Sequence, residues 1–460
     1  MELISRSDHV ALKRHAASNS VDGFMLAAVR FTHLLSGDQS MRRRIGFVEQ
    51  LEARWTPAAD LVPALVDMPD RAAIGGAVAV SVDVDNIGNL ASGSYVIEFR
   101  LSTDATITSA DRLLASVTRS TIAAARDSRW TQSLTLPADL APGSYTLGVI
   151  VDPLNRIREN SETNNTRADS AASALFRNSL TGTVTYGGSA KSVSIRPLNP
   201  QAELLNDRPT WIVAHGRNSS PATTGVAQIA AAIDGEFTTD QVLVLDWSAA
   251  AASGFIGGSG ENYIKPIAAW AATALLGYGI TADEINFVGH SWGAYIGAEL
   301  GERLIEVNSI MALDPATDFP GGSYNPEATT AGGAEVDFAR NSRYSWAFYE
   351  SAADIYGSAK TSATADEAIV VRGADHSKLV QVVADTISRD QTTSLLAAHF
   401  DLQRLLLGAA NPSWLSNQYN TNGQGVAGQP FDAVLFAASG GLKVQSLQFW
   451  NGVSAQTIVI

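Results

Sequence analysis

The chain has no cysteine among its 460 residues. That excludes disulfides, thiol catalysis and cysteine–zinc sites together. It leaves the compartment open, since many exported bacterial proteins also lack cysteine. Charged residues are sparse, at 17% of the total, and acidic ones prevail, with a formal net charge of −14. This balance argues against nucleic acid or an anionic membrane as the main partner. No apolar run is long enough to span a bilayer as a helix. An ordinary secretory signal is also missing, because the apolar stretch Phe24–Val29 is short and closely flanked by Asp22 and Arg30. Histidine is scarce as well: there are seven, few enough to choose a general base by elimination.

What is present is the composition of a globular protein, 45% hydrophobic, and the length predicts two or three domains. Residues 1–56 show no sustained period and read as disordered or export-related. Their basic cluster, Met41-Arg42-Arg43-Arg44-Ile45-Gly46-Phe47 followed by Leu51-Glu52-Ala53-Arg54, resembles short motifs near the start of some bacterial surface and exported proteins. A solvated basic tail is the alternative, and Met41 is an alternative start. We find no internal repeat.

From about residue 59 the hydrophobic period switches to two. Val78, Val80, Val82 and Val84 alternate with smaller or polar residues, as a half-buried strand requires. Further strands are predicted at Tyr95–Leu101, Trp130–Leu136 and Tyr145–Asp152, separated by turn chemistry such as Asp85-Asn86-Ile87-Gly88 and Pro142-Gly143. Such spacing predicts a β-sandwich over residues 57–172. The segments Val84–Gly88, Phe99–Asp104, Leu140–Tyr145, Val151-Asp152 and Glu159–Asn165 resemble the CARDB family, a cell-adhesion-related bacterial domain. The resemblance implies an immunoglobulin-like fold serving as a spacer or binding unit on an exported or surface protein, with a cell-surface or extracellular polymer as its partner. Asp152, Glu159, Glu162 and Asn164 are weak candidates for a structural calcium site. Their spacing fits no EF-hand loop, and turn residues on a solvated acidic edge are the favoured reading.

Strand–helix alternation over 173–410 predicts a mostly parallel α/β sheet, with a small β-rich appendage at 411–460. Inside it stands Gly289-His290-Ser291-Trp292-Gly293, with the buried-strand run Ile285–Val288 before it and a helical pattern after it. Strand, G-x-S-x-G and helix make a nucleophile elbow, which presents a serine hydroxyl above the sheet. A serine nucleophile needs a base, and the base needs an orienting carboxylate. His9, His15 and His33 lie outside this region. His290 points away from its neighbour Ser291, His215 precedes a glycine loop, and His399 sits in an apolar helical pattern. His376, in the polar loop after Ala368–Val371, remains as the base. For the carboxylate, Asp314 ends a hydrophobic strand. It is preferred to Asp246, which precedes the serine, and to Asp375, which adjoins the base.

His215-Gly216, Val244-Leu245-Asp246-Trp247, Val288-Gly289-His290-Ser291 and Leu313-Asp314-Pro315-Ala316 together resemble the pancreatic-type triacylglycerol lipase family. The resemblance implies an α/β hydrolase in which Ser291 attacks an ester carbonyl and His376, held by Asp314, moves the proton. It also implies an oxyanion hole made by the backbone N–H groups of Trp292 and Arg217, and no required cofactor. The chain departs from the family in having Arg217 where an apolar residue is usual and Trp292 where leucine is usual. It also lacks the disulfide-closed lid. These departures direct the expectation towards a soluble carboxylesterase or phospholipase A1-like activity, outside the cell or on its surface. A thioesterase, or a surface adhesion protein with an inactive hydrolase domain, are the competing readings.

Overall fold

The structure is a computed structural model that describes residues 57–252, 260–317, 324–327, 329–330, 333–334, 336–350, 356–390, 433–450 and 455–459. The expectations for residues 1–56, with His9, His15, His33, the arginine cluster and Met41, lie outside the described residues, as does that for His399.

The N-terminal part is a β-sandwich. Strands Leu61–Asp67, Ala77–Asn86 and Arg126–Thr135 form one sheet. The other runs Arg71–Ala73, Ser173–Phe176, Gly143–Val151, Tyr95–Ser102, Arg112–Arg119, with Thr166–Ala168 paired to Gly143–Val151. The alternation read from sequence places Val78, Val80, Val82 and Val84 against Ile97, Phe99, Leu147 and Val149 in one buried cluster. The sandwich extends past residue 172, because Ser173–Phe176 pairs with two of its strands. Asn86 is 1% exposed and serves as an internal tie. Its Oδ1 accepts from the N–H groups of Asp60 and Gly88, and its Nδ2 donates to the carbonyls of Leu90 and Ile122.

The acidic loop weighed as a calcium site forms a hydrogen-bonded clasp. Glu159 accepts from the backbone of Leu61 and from Asn165 Nδ2, and Glu162 accepts from the backbone of Glu159. Asp152 accepts from the backbone of Ile157, and Asn164 donates to Asp60. Burial pushes the Glu159 carboxyl up against these donors. Among the described residues no three His, Asp or Glu side chains converge on a metal position.

The C-terminal part is built on an eleven-stranded sheet. Its strands are β1 (Leu180–Tyr186), β2 (Ser189–Pro197), β3 (Thr210–Ala214), β4 (Gln241–Asp246), β5 (Ile285–His290) and β6 (Val307–Leu313). They continue as β7 (Ser342–Glu350), β8 (Glu367–Arg372), β9 (Ala433–Ala437), β10 (Val444–Trp450) and β11 (Ala455–Val459). The order across the sheet is β1-β2-β4-β3-β5-β6-β7-β8-β9-β10-β11, parallel from β4 to β9 and antiparallel at both margins. Every residue of β3 is buried, as a strand covered on both faces must be. Ile212 and Ala214 face one cluster, with helices α2 (Ile264–Tyr278) and α3 (Trp292–Arg303). Trp211 and Val213 face the other, with α1 (Thr224–Glu236) and α4 (Leu379–Asp390). The strands expected to form a separate appendage at 411–460 do not stand apart. β9 pairs in parallel with β8, and β10 and β11 extend the same sheet.

The chain leaves β3 for β4 on one side, then returns to β5 on the other. The carboxyl ends of β3 and β5 are therefore the switch point of the sheet, where its loops part to leave a crevice.

One surface position is a conformational misfit. Ile305 follows the C-terminus of α3 at φ 76° and is 87% exposed. A β-branched residue in the left-handed region is strained, and glycine is the usual occupant there. Ile305→Gly is expected to raise unfolding stability by about 1 kcal/mol, the relieved strain exceeding the added chain entropy. Urea unfolding of the two proteins measures this, and an unchanged or lower midpoint would contradict it.

Candidate active site

The elbow forms because no residue but glycine fits two positions to either side of Ser291. A Cβ on Gly289 would run into the backbone of Gly293 and Ala294, and one on Gly293 would lie 2.6 Å from the His215 carbonyl. Ser291 itself holds φ 56° and ψ −123°, a sparsely populated conformation costing on the order of 1–3 kcal/mol. It stands between β5 and α3, and its N–H donates to the Leu313 carbonyl at 3.0 Å. The loop after β3 presses on the same point: a Cβ on Gly216 would lie 2.8 Å from Ser291 Cβ. This places Arg217 beside the elbow, with its guanidinium 5.5 Å from the centroid of the Trp292 ring. Trp292 opens α3, so its backbone N–H belongs to the group without an intrahelical acceptor.

Asp314 follows β6 at φ 45° and is completely buried. Its Oδ1 accepts from the N–H of Glu350 at 3.1 Å, and its Oδ2 lies 2.6 Å from His376 Nδ1. Gly357 closes over the carboxylate, and any side chain there would collide with it. A carboxylate only accepts, so Nδ1 of His376 carries the proton and neutral His376 has its lone pair on Nε2. Ser291 and His376 line one cavity of about 820 Å³ with Arg217, Trp292, Tyr356 and Lys378. Ser291 is 5% exposed.

The alternatives weighed from sequence take other roles. Asp375 is a helix cap: its Oδ1 accepts from the N–H groups of Ser377 and Lys378, and its carboxylate pairs with Lys378 at 2.8 Å. Asp246 ends β4, on the side of β3 away from the elbow. His215 is fully buried and braces the loop: its Nδ1 meets the Gly216 carbonyl at 2.9 Å, and its ring stacks on Trp247. The Trp247 indole donates to the His215 carbonyl at 2.8 Å, which accounts physically for the tryptophan after Asp246.

Two neighbours of the base are not evident in the sequence. The Tyr356 ring centroid lies 5.8 Å from that of His376. His290 directs its ring towards the loop of the base, with Nε2 2.9 Å from the His376 carbonyl and the rings 4.7 Å apart. A carbonyl only accepts, so Nε2 of His290 carries the proton. Burial first, and then the neighbouring His376, push the His290 imidazole down to about 3.

Residues 58–169 match the CARDB family model. The CARDB domain of PF1109 from Pyrococcus furiosus, solved in complex with di-metal ions, is 19% identical. The match covers 26% of this chain and 89% of that one, with a TM-score of 0.21. XC6422 from Xanthomonas campestris, an α/β serine hydrolase without lid, is 14% identical. That match covers 47% of this chain and 96% of its own, with a TM-score of 0.29. At these TM-scores neither likeness carries weight beside the strand order itself. A search of curated proteins found no match to this chain.

Proposed function

We propose that the protein is a carboxylic ester hydrolase, of lipase, esterase or phospholipase A1-like type, acting outside the cell or on its surface. One observation carries the reading: a strained Ser291 and His376, the latter held by buried Asp314 at 2.6 Å, line a single cavity. The lone pair on His376 Nε2 takes the proton from Ser291 as its oxygen attacks the ester carbonyl. Buried Asp314 stabilises the imidazolium so formed. The N–H of Ser291 is committed to Leu313, so the elbow's donor to the oxyanion is Trp292. Arg217, on the loop pressed against Ser291, supplies the second. Collapse of the tetrahedral intermediate expels the alcohol, which takes the proton from His376. Water, activated by the same base, then releases the acid. The cavity has the size of a small-molecule site, which favours a single ester over a polymer chain. The sandwich would then hold the enzyme at a surface polymer.

The test is a fluorophosphonate probe with peptide mapping, joined to a panel of p-nitrophenyl esters of rising chain length taken across their solubility limit. Labelling at Ser291 is expected, with turnover that does not jump when the ester passes into aggregates. A jump would make the protein an interfacial lipase, and faster turnover of acyl-CoA than of glyceride esters would make it a thioesterase. Absence of both labelling and turnover would overturn the reading in favour of an inactive scaffold.

A further inference from the structure

The elbow and the base belong to different parts of the chain, and one side chain joins them directly. His290 immediately precedes the nucleophile, and its Nε2–H reaches the backbone carbonyl of His376, 86 residues away. We infer that His290 is a positioning residue, whose Nε2–H holds the loop of the general base at a fixed height above the elbow. This rests on the triad proposed above and extends it to how the triad is kept in register. Asp314 anchors His376 at its ring through Nδ1, and a ring held at one atom by a hydrogen bond still swings with its backbone. A second anchor on the carbonyl removes that swing. Because the anchor starts on the residue adjacent to Ser291, it ties base and nucleophile to a common frame.

The role requires a neutral donor. A protonated His290 would place a second cation 4.7 Å from the imidazolium that forms during acyl transfer, opposing its formation. The groups acting on this ring are His376, on the loop after β8, and His215, at the end of β3, and the titratable or charged residues that line the same cavity are Arg217, Tyr356, Asp375 and Lys378. Asp314, at the end of β6, meets the far side of His376 through Nδ1. The depressed basicity of His290 agrees with a ring that stays neutral while its partner cycles.

The test uses the full chain and two readouts, one of them independent of turnover. In nitrogen-resolved NMR spectra of the wild-type protein, His290 is expected as the Nε2–H tautomer, neutral throughout pH 5–9. The proton shared by His376 Nδ1 and Asp314 is expected as a far-downfield resonance. A protonated or Nδ1–H ring at position 290 in that range would overturn the inference even if no variant folds. His290→Leu is expected to lower kcat about ten- to a hundredfold with little change in KM, and to broaden or remove the downfield resonance. His290→Gln, which can offer an N–H at a similar reach, is expected to restore most of both. If His290→Leu keeps the wild-type kcat and resonance, the anchor has no role, while Ser291 labelling would leave the ester hydrolase reading intact. If the wild-type protein neither labels nor turns over esters, that reading fails. The resonance and its dependence on residue 290 still decide whether the anchor exists.

Discussion

Replacing Ser291 by alanine is expected to lower kcat for any ester substrate by about a millionfold, leaving KM and thermal stability near those of the parent. The size follows from the role: removing the nucleophile of a working triad abolishes the covalent route, and what survives is binding plus the oxyanion donors. The stability expectation follows from the local structure. The Ser291 N–H still reaches the Leu313 carbonyl, and alanine suffers the same backbone strain at φ 56° as serine does. No buried partner therefore loses a bond and no strain is relieved. Steady-state rates with a soluble p-nitrophenyl ester, alongside thermal melts of both proteins, check the two statements together. A variant retaining more than about a hundredth of parental kcat would show that the observed hydrolysis does not pass through Ser291. A variant that melts much lower would show instead that the hydroxyl holds the elbow together.

The elbow was legible because its sterics are local. Gly289 and Gly293 are required by backbone atoms within a few residues and by the His215 carbonyl, so the spacing itself carries the message. The pairing of Asp314 with His376 is legible for a different reason: Asp314 ends a hydrophobic strand that follows the serine in the chain, and the chain has few histidines to choose among. The His290 anchor was not. Neighbouring side chains point apart, which removes His290 as the base for Ser291, but nothing in its vicinity tells which loop its ring will meet. That is decided by the path after β8, far along the chain. Strand Arg112–Arg119 is not legible in the sequence because it is an edge strand with weak alternation, Leu113 being 44% exposed. The C-terminal strands are legible as strands but not as members of the main sheet. Joining β8 requires a long-range pairing that periodicity does not encode.

Asp314→Asn carries the second large effect, a fall in kcat of about ten-thousandfold, and here the tautomer is the cause. In the parent, the carboxylate can only accept, which keeps the proton on His376 Nδ1 and the lone pair on Nε2. An asparagine amide can turn its NH2 towards Nδ1. The ring then satisfies that donor by moving its proton to Nε2, where it blocks uptake of the Ser291 proton. The position is completely buried, so the substitution also removes the negative charge that stabilises the imidazolium in a site with little water to replace it. The Glu350 N–H can still meet an amide oxygen, so the fold is expected to survive with only a modest loss of stability. Fluorophosphonate labelling should slow in proportion to kcat while substrate binding is nearly unchanged. Should Asp314→Asn label and turn over at more than about a tenth of the parental rate, another carboxylate orients His376 and the 2.6 Å pair is structural.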